Sequence, residues 1–162
     1  MENCLTRKTF MPKIVHLQDI VDVLDGASEE SEAFVDLESG EIIHITEDDR
    51  RELDADDWAS VPEWQREHLA TIRELLGTER LAKLPGSYDI HEWSIMERFC
   101  GTVANQIARQ QLFDSIHGTG AFRMFHNTLE QFRLKEEWYA YRQSALEEIA
   151  REWLDENGIP YE

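Results

Sequence analysis

Cysteine is scarce in this chain. Only Cys4 and Cys100 occur among 162 residues. Two thiols in so long a chain make no disulfide framework, and a reducing cytoplasm is the expected setting. Basic residues are also in short supply: 16 Lys and Arg stand against 34 Asp and Glu, a net charge of -18. That deficit argues against binding a nucleic-acid backbone, which needs clustered cations, and against an anionic membrane surface. No apolar run approaches the roughly 18 residues of a membrane span. Arg7 and Lys8 are not followed by an apolar segment, so no signal peptide is expected. Motifs of established chemistry are missing too. There is no Cys-x-x-Cys, no His-x-x-x-His, no Gly-x-Ser-x-Gly and no EF-hand loop. No catalytic residue, metal set or cofactor is therefore expected.

What remains is a globular composition with an uneven charge. Hydrophobic residues make up 41% and include 5 Trp, 7 Phe and 4 Tyr, too many aromatics for a disordered chain. Residues 1–60 carry 5 Lys/Arg and 17 Asp/Glu, a net -12, while residues 61–162 carry 11 and 17, a net -6. From Pro85 to Arg142 the balance is nearly even, with 6 basic and 7 acidic residues, plus His91, His117 and His126.

Local patterns place the elements. Leu17, Ile20, Val21 and Leu24 mark one helical face, closed by Gly26. The runs 33–37 and 41–45 read as two strands joined through Glu38-Ser39-Gly40, a β-hairpin. Two strands are marginal alone, and Lys13 to His16 is a candidate third. Thr46 with Glu47, Asp48 and Asp49 opens a short acidic helix to about Asp56. Pro62, with Ser60 as cap, starts the next helix, which ends at Gly77. Leu81, Leu84 and Pro85 read as an apolar connector. Asp89 and Glu92 form a capping-box-like start to a helix whose stripe is Ile90, Trp93, Met96, Cys100, Val103 and Ile107. Gly101 is placed to divide it, Gly118 to end the segment from Gln106, and Thr119 to cap a helix over Ala121 to Phe132. A final helix spans about Glu136 to Asn157.

The predicted class is α+β: a small antiparallel β-hairpin module packed with a C-terminal helical bundle. Its parts are a flexible tail (1–13), an acidic helix-plus-hairpin module (14–60) and the bundle (61–162), forming one compact unit with a shared core.

These residues resemble a bacterial group, uncharacterised protein family 0158. The resemblance rests on the hairpin from Ala33 to Glu41, Leu84-Pro85, and the run Asp89-Ile90-His91-Glu92-Trp93-Ser94-Ile95-Met96-Glu97. It continues through Gly118-Thr119-Gly120-Ala121-Phe122-Arg123-Met124-Phe125, Trp138-Tyr139-Ala140-Tyr141-Arg142, Ile149 to Leu154 and Asn157-Gly158-Ile159. It covers about residues 14 to 161. The resemblance implies a cytosolic bacterial protein and supplies no activity.

Two functions compete. The preferred one is a non-enzymatic interaction or regulatory protein that binds a basic protein partner through Glu29, Glu30, Glu32 and the run from Glu47, Asp48 and Asp49 to Asp57, charge steering the encounter. The alternative is a small anionic-ligand or phosphate-binding protein, even an enzyme. Its site would gather His91, Arg123, Tyr139 and Arg142, with backbone N–H groups from Gly118, Thr119 and Gly120. Each of these also has a plain structural reading: His91 as a first-turn residue, the glycines as a tight helix–helix turn, and Arg142 as the partner of a carboxylate.

Overall fold

The computed structural model describes residues 11–55 and 57–162. Most of the expected tail, Cys4 and Asp56 lie outside the described residues. The first apolar face forms α1 (Leu17–Asp25), which buries Ile20, Val21 and Leu24. Gly26 closes it, its N–H donating to the Asp22 carbonyl at 3.1 Å.

The hairpin is β1 (Ser31–Asp36) and β2 (Ile42–Thr46), antiparallel, with Ser31 opposite Thr46 and Phe34 opposite Ile43. Gly40 sits at φ 76°, the left-handed conformation that glycine adopts without a Cβ clash. The third strand is not the segment around Lys13. It is β3 (Leu81–Lys83), antiparallel to β1 in the order β2-β1-β3. Val15 instead forms a parallel bridge with Tyr161. The supposed connector is thus a strand: Leu81, Ala82 and Lys83 pair with the open edge of β1, while Arg80 and Leu84 extend the ladder through Leu37 and Ala33.

Alternation along β1 gives the sheet two apolar faces. Phe34 joins Ile45 and Ile72 in a small cluster beneath α3 (Glu63–Leu76), and Val35 joins the main core on the other side. Between β2 and α3 in the chain, α2 (Glu47–Asp54) starts with a capping box. Asp49 N–H donates to Thr46 Oγ1 at 3.1 Å, and Thr46 N–H donates to Asp49 Oδ2 at 3.0 Å. Pro62 precedes α3 as its cap position instead of its first residue, and its carbonyl, not Ser60, receives the first N–H groups.

The remaining helices are α4 (Ser87–Ile90), α5 (Glu92–Thr102), α6 (Gln106–Ser115), α7 (Ala121–Gln131) and α8 (Lys135–Glu156). Asp89 does cap, but for α4: its Oδ2 accepts Gly86 N–H at 2.8 Å. His91, at φ 53°, turns the chain into α5. Gly101 stays inside α5. The division falls at Val103–Asn105, where Asn105 Oδ1 accepts the N–H groups of Ile107 and Ala108. Ile95 and Phe99 carry much of the buried face, while Trp93 and Ile107 are exposed. Gly120, not Thr119, occupies the cap of α7, with no side-chain bond.

One apolar core runs from α1 and β1 into the bundle. Phe125 and Trp138 meet edge-to-face at 4.9 Å near its centre, and Phe99 packs against both. The class is α+β, and no described strand interrupts residues 90–157.

Candidate functional site

The hairpin register creates the first part of a groove. Because Ser31 pairs with Thr46, the turn before β1 lies beside the start of α2, and Glu47 N–H donates to the Glu30 carbonyl at 2.9 Å. Glu29, Glu30, Glu32 and Glu47 therefore line one shallow cavity of about 150 Å³, with Arg50 at its side. Glu29, Glu30 and Glu47 are exposed. Glu32 is engaged, bonded by Arg50 and by Lys83 Nζ at 2.5 Å, and these two cations hold its carboxyl below the ordinary range. Of the other two expected carboxylates, Asp48 pairs with Arg51 at 3.0 Å and Asp49, in the first turn of α2, accepts the Thr46 N–H in the capping box.

Glu29, Ser31 and Glu32 also line a second cavity of about 240 Å³, between the α1–β1 turn and the loop before α4. Tyr88, 72% exposed, stands over it with its hydroxyl against Glu29, which pushes the phenol pKa up. Ala27 and Ser87 then belong both to this cavity and to a third of about 460 Å³. The second hollow thus shares lining residues with both of the others, and the three adjoin in a row. Seven carboxylates and three cations line them in all.

The third cavity has a different chemistry. Phe122, His126, Trp138 and Tyr139 form aromatic walls, and Asp25, Glu92 and Arg142 supply the charge. Tyr139 and Arg142 lie three residues apart on α8, so they share a face. Arg142 is only 22% exposed. Its Nε donates to Glu92 Oε1 at 2.6 Å, Nη2 to Oε2 at 3.3 Å, and Nη1 to Asp25. Burial alone would lower its pKa; Glu92 and Asp25 outweigh this and raise it. One arginine thereby ties α8 to α5 and α1, and an incoming anion would compete with two carboxylates for it.

Of the expected ligand residues, this cavity gathers only Tyr139 and Arg142. His91 is exposed at the α4–α5 joint and does not line it. Arg123 is exposed on α7 next to Phe122 and does not line it either. Gly118, Thr119 and Gly120 form an exposed turn, with Gly118 at φ 85° and Gly120 at φ 77°. Asp25, Glu92, Phe122 and His126 come to this cavity from elements far apart in the chain: Glu92 and Arg142 are 50 positions apart, and Phe122 lies in the helix expected over Ala121 to Phe132. Among the described residues no helix is long and apolar enough to cross a membrane, and no three His, Cys, Asp or Glu side chains are grouped to hold a metal.

A family model described as Uncharacterised protein family (UPF0158) matches residues 10–161. This chain belongs to UPF0158. A UPF0158 relative from Pseudomonas aeruginosa, the UPF0158 protein PA5073, is 27% identical over 150 residues, covering 91% of this chain and 86% of the relative. No solved structure matches the chain. The span matched to UPF0158 takes in the hairpin, the Asp89–Glu97 run and the aromatic start of α8, and the family description names no activity.

Proposed function

We propose that this protein is a non-enzymatic, cytoplasmic interaction protein whose acidic groove receives a basic segment of a partner protein. One observation carries the reading: three adjoining hollows share walls, and seven carboxylates face three cations along them. Glu29, Glu30 and Glu47 stand exposed at one end, where their charge attracts cations over a Debye length of about 10 Å at moderate salt. The net charge of -18 speeds encounter with a basic surface and repels acidic ones. A cytoplasmic setting accords with Cys100 being a buried free thiol. An anionic small molecule finds less support, because Arg142 is already held by Glu92 and Asp25.

The test is parallel affinity capture from cell extract with the wild type and a Glu29→Gln/Glu30→Gln/Glu47→Gln variant. The expected result is a basic protein retained in stoichiometric amount at low salt, released as salt rises and lost by the variant. No retained protein at low salt, or one held equally by the variant, sinks the reading.

A further inference from the structure

The aromatic end of the groove asks for something more specific than negative charge. Phe122 and Tyr139 are each 55% exposed, an unusual position for two large rings that line the same hollow. Its titratable groups are Asp25, Glu92, His126, Tyr139 and Arg142. Two carboxylates stand there against one guanidinium. The Asp25 side chain is 58% exposed and keeps accepting lone pairs open to the groove. A cavity of about 460 Å³ with aromatic walls, more carboxylates than cations and two lining residues in common with an acidic hollow suits a planar cation.

We propose that this hollow takes an arginine side chain of the partner, its guanidinium against the rings of Phe122 and Tyr139 and its N–H groups toward Asp25 and Glu92. The inference rests on the groove being the partner-binding face. Arginine is favoured over lysine because its flat, weakly hydrated head stacks on rings and forks onto carboxylates, whereas an ammonium is a compact hydrated point charge. Arg142 does not close the hollow to a second cation, since Glu92 and Asp25 neutralise it.

The experiment titrates the full chain with N-acetyl-arginine N-methylamide at low salt and follows side-chain NMR signals. Saturable shifts are expected at Phe122, Tyr139 and Trp138, with the isosteric, uncharged citrulline amide shifting none of them. Phe122→Ala and Tyr139→Ala, both at exposed rings, should each weaken binding by about two- to fivefold. The lysine amide should bind more weakly than the arginine amide. Equal shifts from citrulline, equal affinity for lysine, binding unchanged in the Phe122→Ala/Tyr139→Ala variant, or no shift at all overturns the proposal. So does a stronger response of the same signals to inorganic phosphate. The probe needs neither a partner nor the far acidic rim, so Glu29→Gln/Glu30→Gln/Glu47→Gln should bind it normally. A chain that captures its partner yet ignores the probe overturns the arginine pocket alone. One that binds the probe and captures nothing supports the pocket and counts against the rim.

Discussion

Arg80 grips Asp36 with two near-parallel hydrogen bonds, Nε to Oδ1 at 3.1 Å and Nη2 to Oδ2 at 2.6 Å. Asp36 is 4% exposed, and its carboxylate also receives Glu38 N–H and the Ser39 hydroxyl. One side chain therefore fixes the hairpin turn and the approach to β3 together.

Acid should loosen that joint. Burial alone would raise the Asp36 pKa; Arg80, Glu38 and Ser39 outweigh it and hold the carboxyl below its ordinary value. A folded value below the unfolded one means the contribution is complete above about pH 4 and fades as pH falls through the lowered value. Asp36→Asn is expected to cost about 1–3 kcal/mol at pH 7 and to flatten the stability loss between about pH 4 and pH 2. Urea unfolding at all three pH values measures both.

Arg142 is expected to hold the three helices it bridges. Arg142→Met leaves Glu92, 25% exposed, without its counter-charge. A loss of about 2 kcal/mol is expected, below the full buried-pair figure because water still reaches Asp25. Glu92→Gln added to Arg142→Met should recover part of it. Thermal melts of the two single variants and the double variant give the coupling.

Cys100 should behave as an inert core atom. Burial pushes its thiol pKa up to about 11. In a Cys4→Ser background, a thiol reagent at pH 8 should leave the native chain unlabelled over the time in which denaturant-unfolded chain reacts fully. Rapid native labelling would show that α5 opens locally.

Two glycines should respond oppositely to alanine. At Gly40 the backbone is left-handed and a Cβ would stand 3.3 Å from Lys13 Cβ, so Gly40→Ala should destabilise by about 1–2 kcal/mol. At Gly101, inside α5, a Cβ meets nothing within 4 Å, and Gly101→Ala should stabilise by about 0.5 kcal/mol. Chemical denaturation of the pair checks the signs.

The sequence is most legible where chemistry is local. The α1 stripe, the Gly40 turn, the Thr46–Asp49 cap and the extent of α8 follow from neighbours within a few positions. What depends on distant pairing is harder to see. Leu81–Lys83 shows too short an apolar run to read as a strand until β1 offers an edge. Trp93 fits a buried helical stripe, yet it is 41% exposed and its indole N–H donates to the Ile116 carbonyl. The acidic rim was visible because Glu29, Glu30 and Glu32 sit together, and hairpin pairing adds Glu47. The aromatic hollow was only half visible. Tyr139 and Arg142 share a helix, but Phe122, Glu92 and Asp25 come to them from three other elements.

The parallel bridge between Val15 and Tyr161 gives the molecule a mechanical property. Val15 N–H donates to Pro160, Leu17 N–H to Glu162, and Glu162 N–H to Val15, all within 3.1 Å. Tension applied across these two ends loads the three bonds side by side, in shear, so they must rupture nearly at once. Directly behind the clasp stands α1, which walls the aromatic hollow through Leu24 and Asp25.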